Sequence, residues 1–279
     1  MMPWIWVIRI TAAITLLSRA WLYLRGDVPY RAVLWNDDFM GLVVSKGMGI
    51  TWDQYVSTAD PYVTLLGLVG AYLLMAAGIA CLLVTTQARR LTDLVLLGAL
   101  LLAMDAGCRW VDKNYQIGML IEYALQVSAP LLLIIALAKG VDALSWKWSA
   151  KVAAAGCFVG HGLYAVGWHP VPGHFVTMCM DLLRLSEGQA MWFLKAVGML
   201  DFVAAGLLFV RPERLPRMAC YYMLVWGFLT ASARVLSHIT PAESFYGLDP
   251  WFFESTVRVS HWSIPWVILG VYYRQKRVA

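Results

Sequence analysis

The chain has 279 residues, of which 61% are hydrophobic and only 14% charged, with 14 Trp and a net charge of +5. Several apolar runs reach the roughly 20 residues that cross a bilayer, which excludes a soluble enzyme. The basic residues lie mostly in short loops, where they set topology, so they indicate no nucleic-acid partner. Five scattered cysteines (Cys81, Cys108, Cys157, Cys179, Cys220) form no CxxC, which argues against a thiol relay or a zinc site built on cysteines.

Hydropathy predicts eight membrane helices, at about 3–24, 62–86, 91–110, 119–138, 148–168, 189–210, 216–238 and 254–274. The first, Trp4 to Leu24, carries Arg9 and Arg19 and lacks a small-residue cleavage site, so it reads as a retained helix. The second is expected to start at Asp60-Pro61, an N-cap followed by Pro at the first helical position. The sixth starts at Ser186, with Gln189 three residues on as a capping box. Basic clusters at Arg89-Arg90, at Lys139, Lys147 and Lys151, at Arg211, Arg214 and Arg217, and at Arg274, Lys276 and Arg277 occupy alternate loops. Placing these in the cytoplasm puts both termini there and suggests a bacterial-type inner membrane. The long segments 25–60 and 169–188 are then extracytoplasmic, and their aromatic and apolar content suits partial helices at the interface.

The chain reads as a duplication, 1–140 and 148–279, of four helices each. Val69-Gly70 and Ala76-Ala77-Gly78 match Val197-Gly198 and Ala204-Ala205-Gly206 within KAVGMLDFVAAG. Val28-Pro29-Tyr30-Arg31 matches Val171-Pro172-Gly173-His174. Ala106-x-x-Arg109 matches Ala231-x-x-Arg234, and Glu122-x4-Val127-Ser128 matches Glu254-x4-Val259-Ser260. An even number of helices per copy makes the repeats parallel. The fold class expected is an all-α polytopic membrane protein with eight transmembrane helices in two parallel four-helix repeats.

The strings GHGLYAVGWHPVPGHFV and VGMLDFVAAGLLFVRPERLPR resemble the DoxX-like family of four-helix membrane proteins, here in duplicated form. Residues 156–230 carry the resemblance best. The horizontally arranged helices of carboxylase-type membrane domains are a weaker resemblance. The DoxX-like resemblance implies an integral membrane subunit linked to redox enzymes or quinones, and it transfers no catalytic residue.

Ionisable groups within the bilayer cost on the order of 3 kcal/mol each at its centre. Arg109 with Glu122, and Arg234 with Glu254, are expected to pair as structural clamps between the third and fourth helix of each repeat, with substrate binding as the competing role. The histidines are asymmetric, since His161, His169, His174, His238 and His261 all fall in the second half. Glu254, Arg258 and His261 share one helix face, and Arg234 and His238 lie one turn apart. His161, Arg234, His238, Glu254, Arg258 and His261 are therefore expected to line one outer pocket. For each histidine taken singly, a hydrogen-bonded interfacial role is the competing reading. Asp201 is the deepest acid, for which pairing with Lys195 or with an Arg across the bundle competes with a role in handling protons.

His161 and His261 are the haem-ligand candidates, although no motif supports haem, and metal binding is left open. No Walker loop, HExxH or GxSxG occurs. Three functions compete. One is a redox component holding a quinone or quinol; another is a non-catalytic anchor or assembly subunit with membrane or periplasmic partners. The third is a carrier for a small or lipid-like anion. Membrane lipid is the one partner common to all three.

Overall fold

The computed structural model describes residues 3–239 and 245–278. Among these the secondary structure is entirely helical. In chain order the helices are α1 (Pro3–Leu24), α2 (Arg31–Leu34), α3 (Asp37–Leu42), α4 (Trp52–Leu83), α5 (Arg89–Asp112), α6 (Ile117–Glu122) and α7 (Ala124–Lys139). There follow α8 (Leu144–Ala165), α9 (Gly173–Leu183), α10 (Glu187–Leu207), α11 (Arg214–Leu236), α12 (Phe245–Thr256) and α13 (Ser260–Val278). A π-helical turn, Val43–Met48, follows α3.

Among the described residues, six spans are long and apolar enough to cross a membrane: α1, α4, α5, α6 with α7, α10 and α11. This is a helical membrane protein. Large apolar side chains stand exposed on α4 (Leu65, Val69, Tyr72), α5 (Leu100, Met104), α10 (Met199, Val203) and α11 (Val225, Phe228), the surface that lipid covers. The other two expected spans, α8 and α13, are helices of the expected kind but carry too many polar groups to qualify by composition. Lys147, Lys151 and His161 lie on α8, and Arg274, Lys276 and Arg277 on α13.

The packing follows one pattern in both halves. Helix α1 packs on α4, α4 on α5, α5 on α7, and α7 returns to α1; likewise α8 packs on α10, α10 on α11, α11 on α13, and α13 returns to α8. Contacts of α7 with α8, of α1 with α13 and of α7 with α13 join the halves. Side chains fix the antiparallel register of α1 against α12 and α13: Trp4 meets Trp266 edge to face at 5.7 Å, Thr11 donates to Ser263 at 2.8 Å, and Ser18 bonds Thr256 at 2.8 Å. Arg9, buried at 3% exposure, donates to the main-chain carbonyls of Cys81, Leu82 and Val84. It thereby satisfies the orphan C-terminal acceptors of α4.

The matched small-residue motifs are points of close helix approach. A Cβ on Gly78 would lie 2.8 Å from Leu17, and one on Gly198 2.9 Å from the Ala165 Cβ. Gly206, by contrast, faces open space. Gly160 is tightest against backbone, since an added Cβ would sit 2.7 Å from the Glu122 nitrogen and 2.8 Å from the Gly118 carbonyl oxygen. Gly160→Ala is therefore expected to destabilise the protein by about 1–3 kcal/mol, the usual range for overpacking, and Gly206→Ala to be neutral. Thermal unfolding in detergent distinguishes the two.

Three helix boundaries differ from expectation. Helix α4 starts at Trp52, not at 62, because Thr51 and Gln54 form a capping box upstream, and Pro61 lies inside the helix. Ser186 and Gln189 form the expected box on α10. The fourth and eighth predicted helices each break just past their glutamate, at Tyr123 and at 257–259. The outer segments form α2, α3 and α9, which together with α12 cap the end of the bundle where α1 and α8 finish.

Candidate functional site

Two buried charge clusters lie toward this capped end. In the first half, Arg19 and Asp105 are both fully buried. Arg19 Nε stands 3.5 Å from Asp105 Oδ2, and its Nη2 donates to Gln126 Oε1 at 3.1 Å and to the Tyr123 hydroxyl at 3.3 Å. Tyr23 donates its hydroxyl to Asp105 Oδ1 at 3.1 Å. Arg109 pairs with Asp105, one turn earlier on α5, at 3.2 Å, and also with Asp27. The expected Arg109–Glu122 clamp does not form, because Asp105 and Asp27 already hold the guanidinium.

Glu122 instead faces the second half. Its carboxylate lies 3.6 Å from Arg258 Nη2 and 4.0 Å from His161 Nε2. The cause is local: α6 ends at Glu122, and Gly160 lets this turn press against α8. Arg258 also pairs with the Glu254 carboxylate, and its Nη1 donates to the Glu254 carbonyl at 2.6 Å. Glu254 is thus taken by Arg258 and not by Arg234. Among the described residues no carboxylate lies within ion-pair distance of Arg234, whose guanidinium instead sits 5.8 Å from the Phe175 ring.

Beside this cluster opens a cavity of about 390 Å³ bounded by α8, α9, α10, α11 and the start of α13. Its walls are apolar, with Phe158, Phe175, Met178, Leu182, Phe193, Leu194 and Trp226 among them. Polar groups gather on one side: His161, Arg234, Arg258 and His261, with Asp201 nearby. Of the six residues expected in the pocket, these four line it. His238 and Glu254 do not. His238 stacks on Trp251 with ring centroids 3.6 Å apart, and its Nδ1 bonds the Arg234 carbonyl, 2.8 Å away.

His161 and His261 face each other edge to face at 5.2 Å between centroids. No porphyrin plane passes between rings in such contact, so the pair does not fit bis-histidine haem ligation. Asp201 accepts a hydrogen bond from the Tyr222 hydroxyl at 2.8 Å, whereas Lys195 rests 5.1 Å from the Trp192 ring; the expected Asp201–Lys195 pair is absent. His169 accepts a hydrogen bond on Nε2 from the Gly118 amide at 3.1 Å, which ties the end of α8 to α6. Asp37 and Asp38 lie exposed in the first turn of α3.

Compared with family models, curated proteins and solved structures, the chain matches none. The site must therefore be read from its own chemistry. An apolar cavity with donors on one wall has the shape and polarity to suit an amphipathic molecule with an oxygen-bearing head. Sequence reasoning missed Cys157, whose sulfur lies near both imidazoles, although its position one turn before His161 was visible. It also missed the aromatic wall, because Phe175, Phe193 and Trp226 come from three different helices.

Proposed function

We propose that the chain is an integral membrane component of a redox system and holds a quinone or quinol in this cavity. The observation that carries the reading is the pairing of an apolar, ring-lined chamber with Arg234, a buried cation that has no carboxylate within ion-pair distance among the described residues. A quinone carbonyl would accept from Arg234, and the imidazoles of His161 and His261 would exchange protons with the head. The polyprenyl tail would leave between apolar side chains of α9, α10 and α11. The DoxX-like resemblance points the same way. It fits a chain of two parallel four-helix repeats that crosses the membrane eight times, with both termini cytoplasmic.

Arg234, unpaired among the described residues, also favours a second reading, a carrier for a lipid-like anion, because an anionic head would neutralise it. One experiment separates the two. Purified protein is extracted for lipid and titrated with a short-chain quinone and with a fatty acid of equal length, by thermal shift. The quinone is expected to raise the melting temperature and the fatty acid to leave it unchanged. Arg234→Met is expected to lose the shift while the unliganded melting temperature stays near that of wild type. Stabilisation by the fatty acid alone selects the carrier, and no shift with either sinks both. A non-catalytic anchor would instead purify with stable partner chains and no ligand.

A further inference from the structure

Cys157 and His161 lie one turn apart on α8, and His261 reaches them from the first turn of α13. Their ligand atoms all lie within 4.8 Å of one another. Cys157 is fully buried and His261 is 2% exposed. Among the described residues, the Nε2 atoms of both His161 and His261 have no hydrogen-bond partner. Two imidazoles, each with one buried nitrogen lacking a hydrogen-bond partner and each beside the same thiol, call for an explanation, because folded proteins pair nearly all such groups.

We infer that Cys157, His161 and His261 form a three-donor site for a monovalent copper ion. Thiolate with imidazole selects soft and borderline d10 cations, Cu(I) and Zn(II). Bond lengths of roughly 2.0–2.3 Å require each donor to move by less than about 1 Å from this open triangle. Two features favour Cu(I). A structural zinc site takes four protein donors, and the fourth available here, Glu122, is held by Arg258. Cu(I) is content with three. Charge gives the second reason: Arg234 and Arg258 offset Glu122 and Glu254, and the Cys157 thiolate adds one negative charge. A monovalent ion leaves the layer neutral, whereas a divalent ion leaves a net positive charge in a low dielectric.

The site shares two imidazoles with the proposed quinone cavity but does not rest on that reading, since Cys157 lies outside the cavity wall. The full-length protein in detergent, stripped by a chelator, is titrated anaerobically with Cu(I) against a chromophoric Cu(I) competitor, without added quinone. One Cu(I) per chain is expected, and X-ray absorption should find one sulfur and two nitrogen donors. Cys157→Ser and His261→Gln should each lose the ion, whereas Cys81→Ser and Cys220→Ser should keep it. Failure to capture Cu(I), retention by Cys157→Ser, or displacement of Cu(I) by equimolar Zn(II) overturns the inference. Should a variant fold poorly, the wild-type absorption spectrum decides: a shell lacking sulfur or lacking imidazole overturns it. Quinone binding, measured separately on the stripped protein, leaves this outcome untouched.

Discussion

Asp105→Ala is expected to be among the most destabilising single substitutions in the first half, at about 3–5 kcal/mol. Asp105 is fully buried and is the shared acceptor of Arg19, Arg109 and Tyr23. Removing it leaves Arg19 with Asp27 at 3.8 Å as its remaining carboxylate, which Arg109 also claims. Two cations then compete for one half-exposed anion in a low-dielectric interior. The loss should appear as a lower melting temperature in detergent and a smaller folded fraction on size exclusion. Asp105→Asn should cost less, because the amide oxygen still accepts from Tyr23. The paired replacement Arg19→Met with Asp105→Leu should recover part of the loss, since an apolar pair carries no desolvation penalty. If Asp105→Ala melts like wild type, the cluster does not hold this half together.

Much of the helical architecture is legible in the sequence because hydropathy alone forces it. Backbone polar groups in lipid must bond within their own segment, so each long apolar run becomes a helix. Where expectation fails, a short polar signal competes with the hydropathy window. Thr51 and Gln54 start α4 well before the apolar run, and Asp60-Pro61 resembles a helix start without being one. Conversely, α8 and α13 fall short by composition because each adds basic residues near one end (Lys147 and Lys151 on α8, Arg274 on α13) to interior polar groups such as His161 on α8 and the buried Ser260, His261 and Ser263 on α13.

The site was legible in its members and not in its pairings. Helical spacing brought Arg258 and His261 together, and the asymmetry of the histidines pointed to α8 and α13. Spacing within a helix says nothing about which neighbouring helix supplies the counter-ion. Arg109 takes Asp105 from its own helix and Asp27 from the end of α1, which released Glu122 to reach across to α8 and the α12–α13 turn. The break after Glu122 was equally hidden, since α6 and α7 read as one apolar run. His238 shared a face with Arg234 by spacing, yet Trp251 from α12 captures its ring outside the cavity.

Glu122→Ala should match Asp105→Ala in size, at about 3–5 kcal/mol, and for a reason specific to how the halves join. Glu122 is 5% exposed and belongs to the first half, while its partners Arg258 and His161 belong to the second. Its loss leaves Arg258 with Glu254 as its remaining carboxylate, whose side chain is 25% exposed. Arg234, which has no ion-pair partner among the described residues, then shares the cavity wall with a second under-neutralised guanidinium. The corresponding substitution Glu254→Ala should cost less, because water reaches that carboxylate and Arg258 keeps Glu122. A double-mutant cycle of Glu122→Ala with Arg258→Met should give a coupling energy of about 0.5–3 kcal/mol, as expected for residues in direct contact. The same cycle between Glu122 and Arg109 should give a value near zero, since the guanidinium of Arg109 is held by Asp27 and Asp105. Coupling of Glu122 to Arg109 instead of Arg258 would restore the clamp within the first half and remove the ionic tie between the halves.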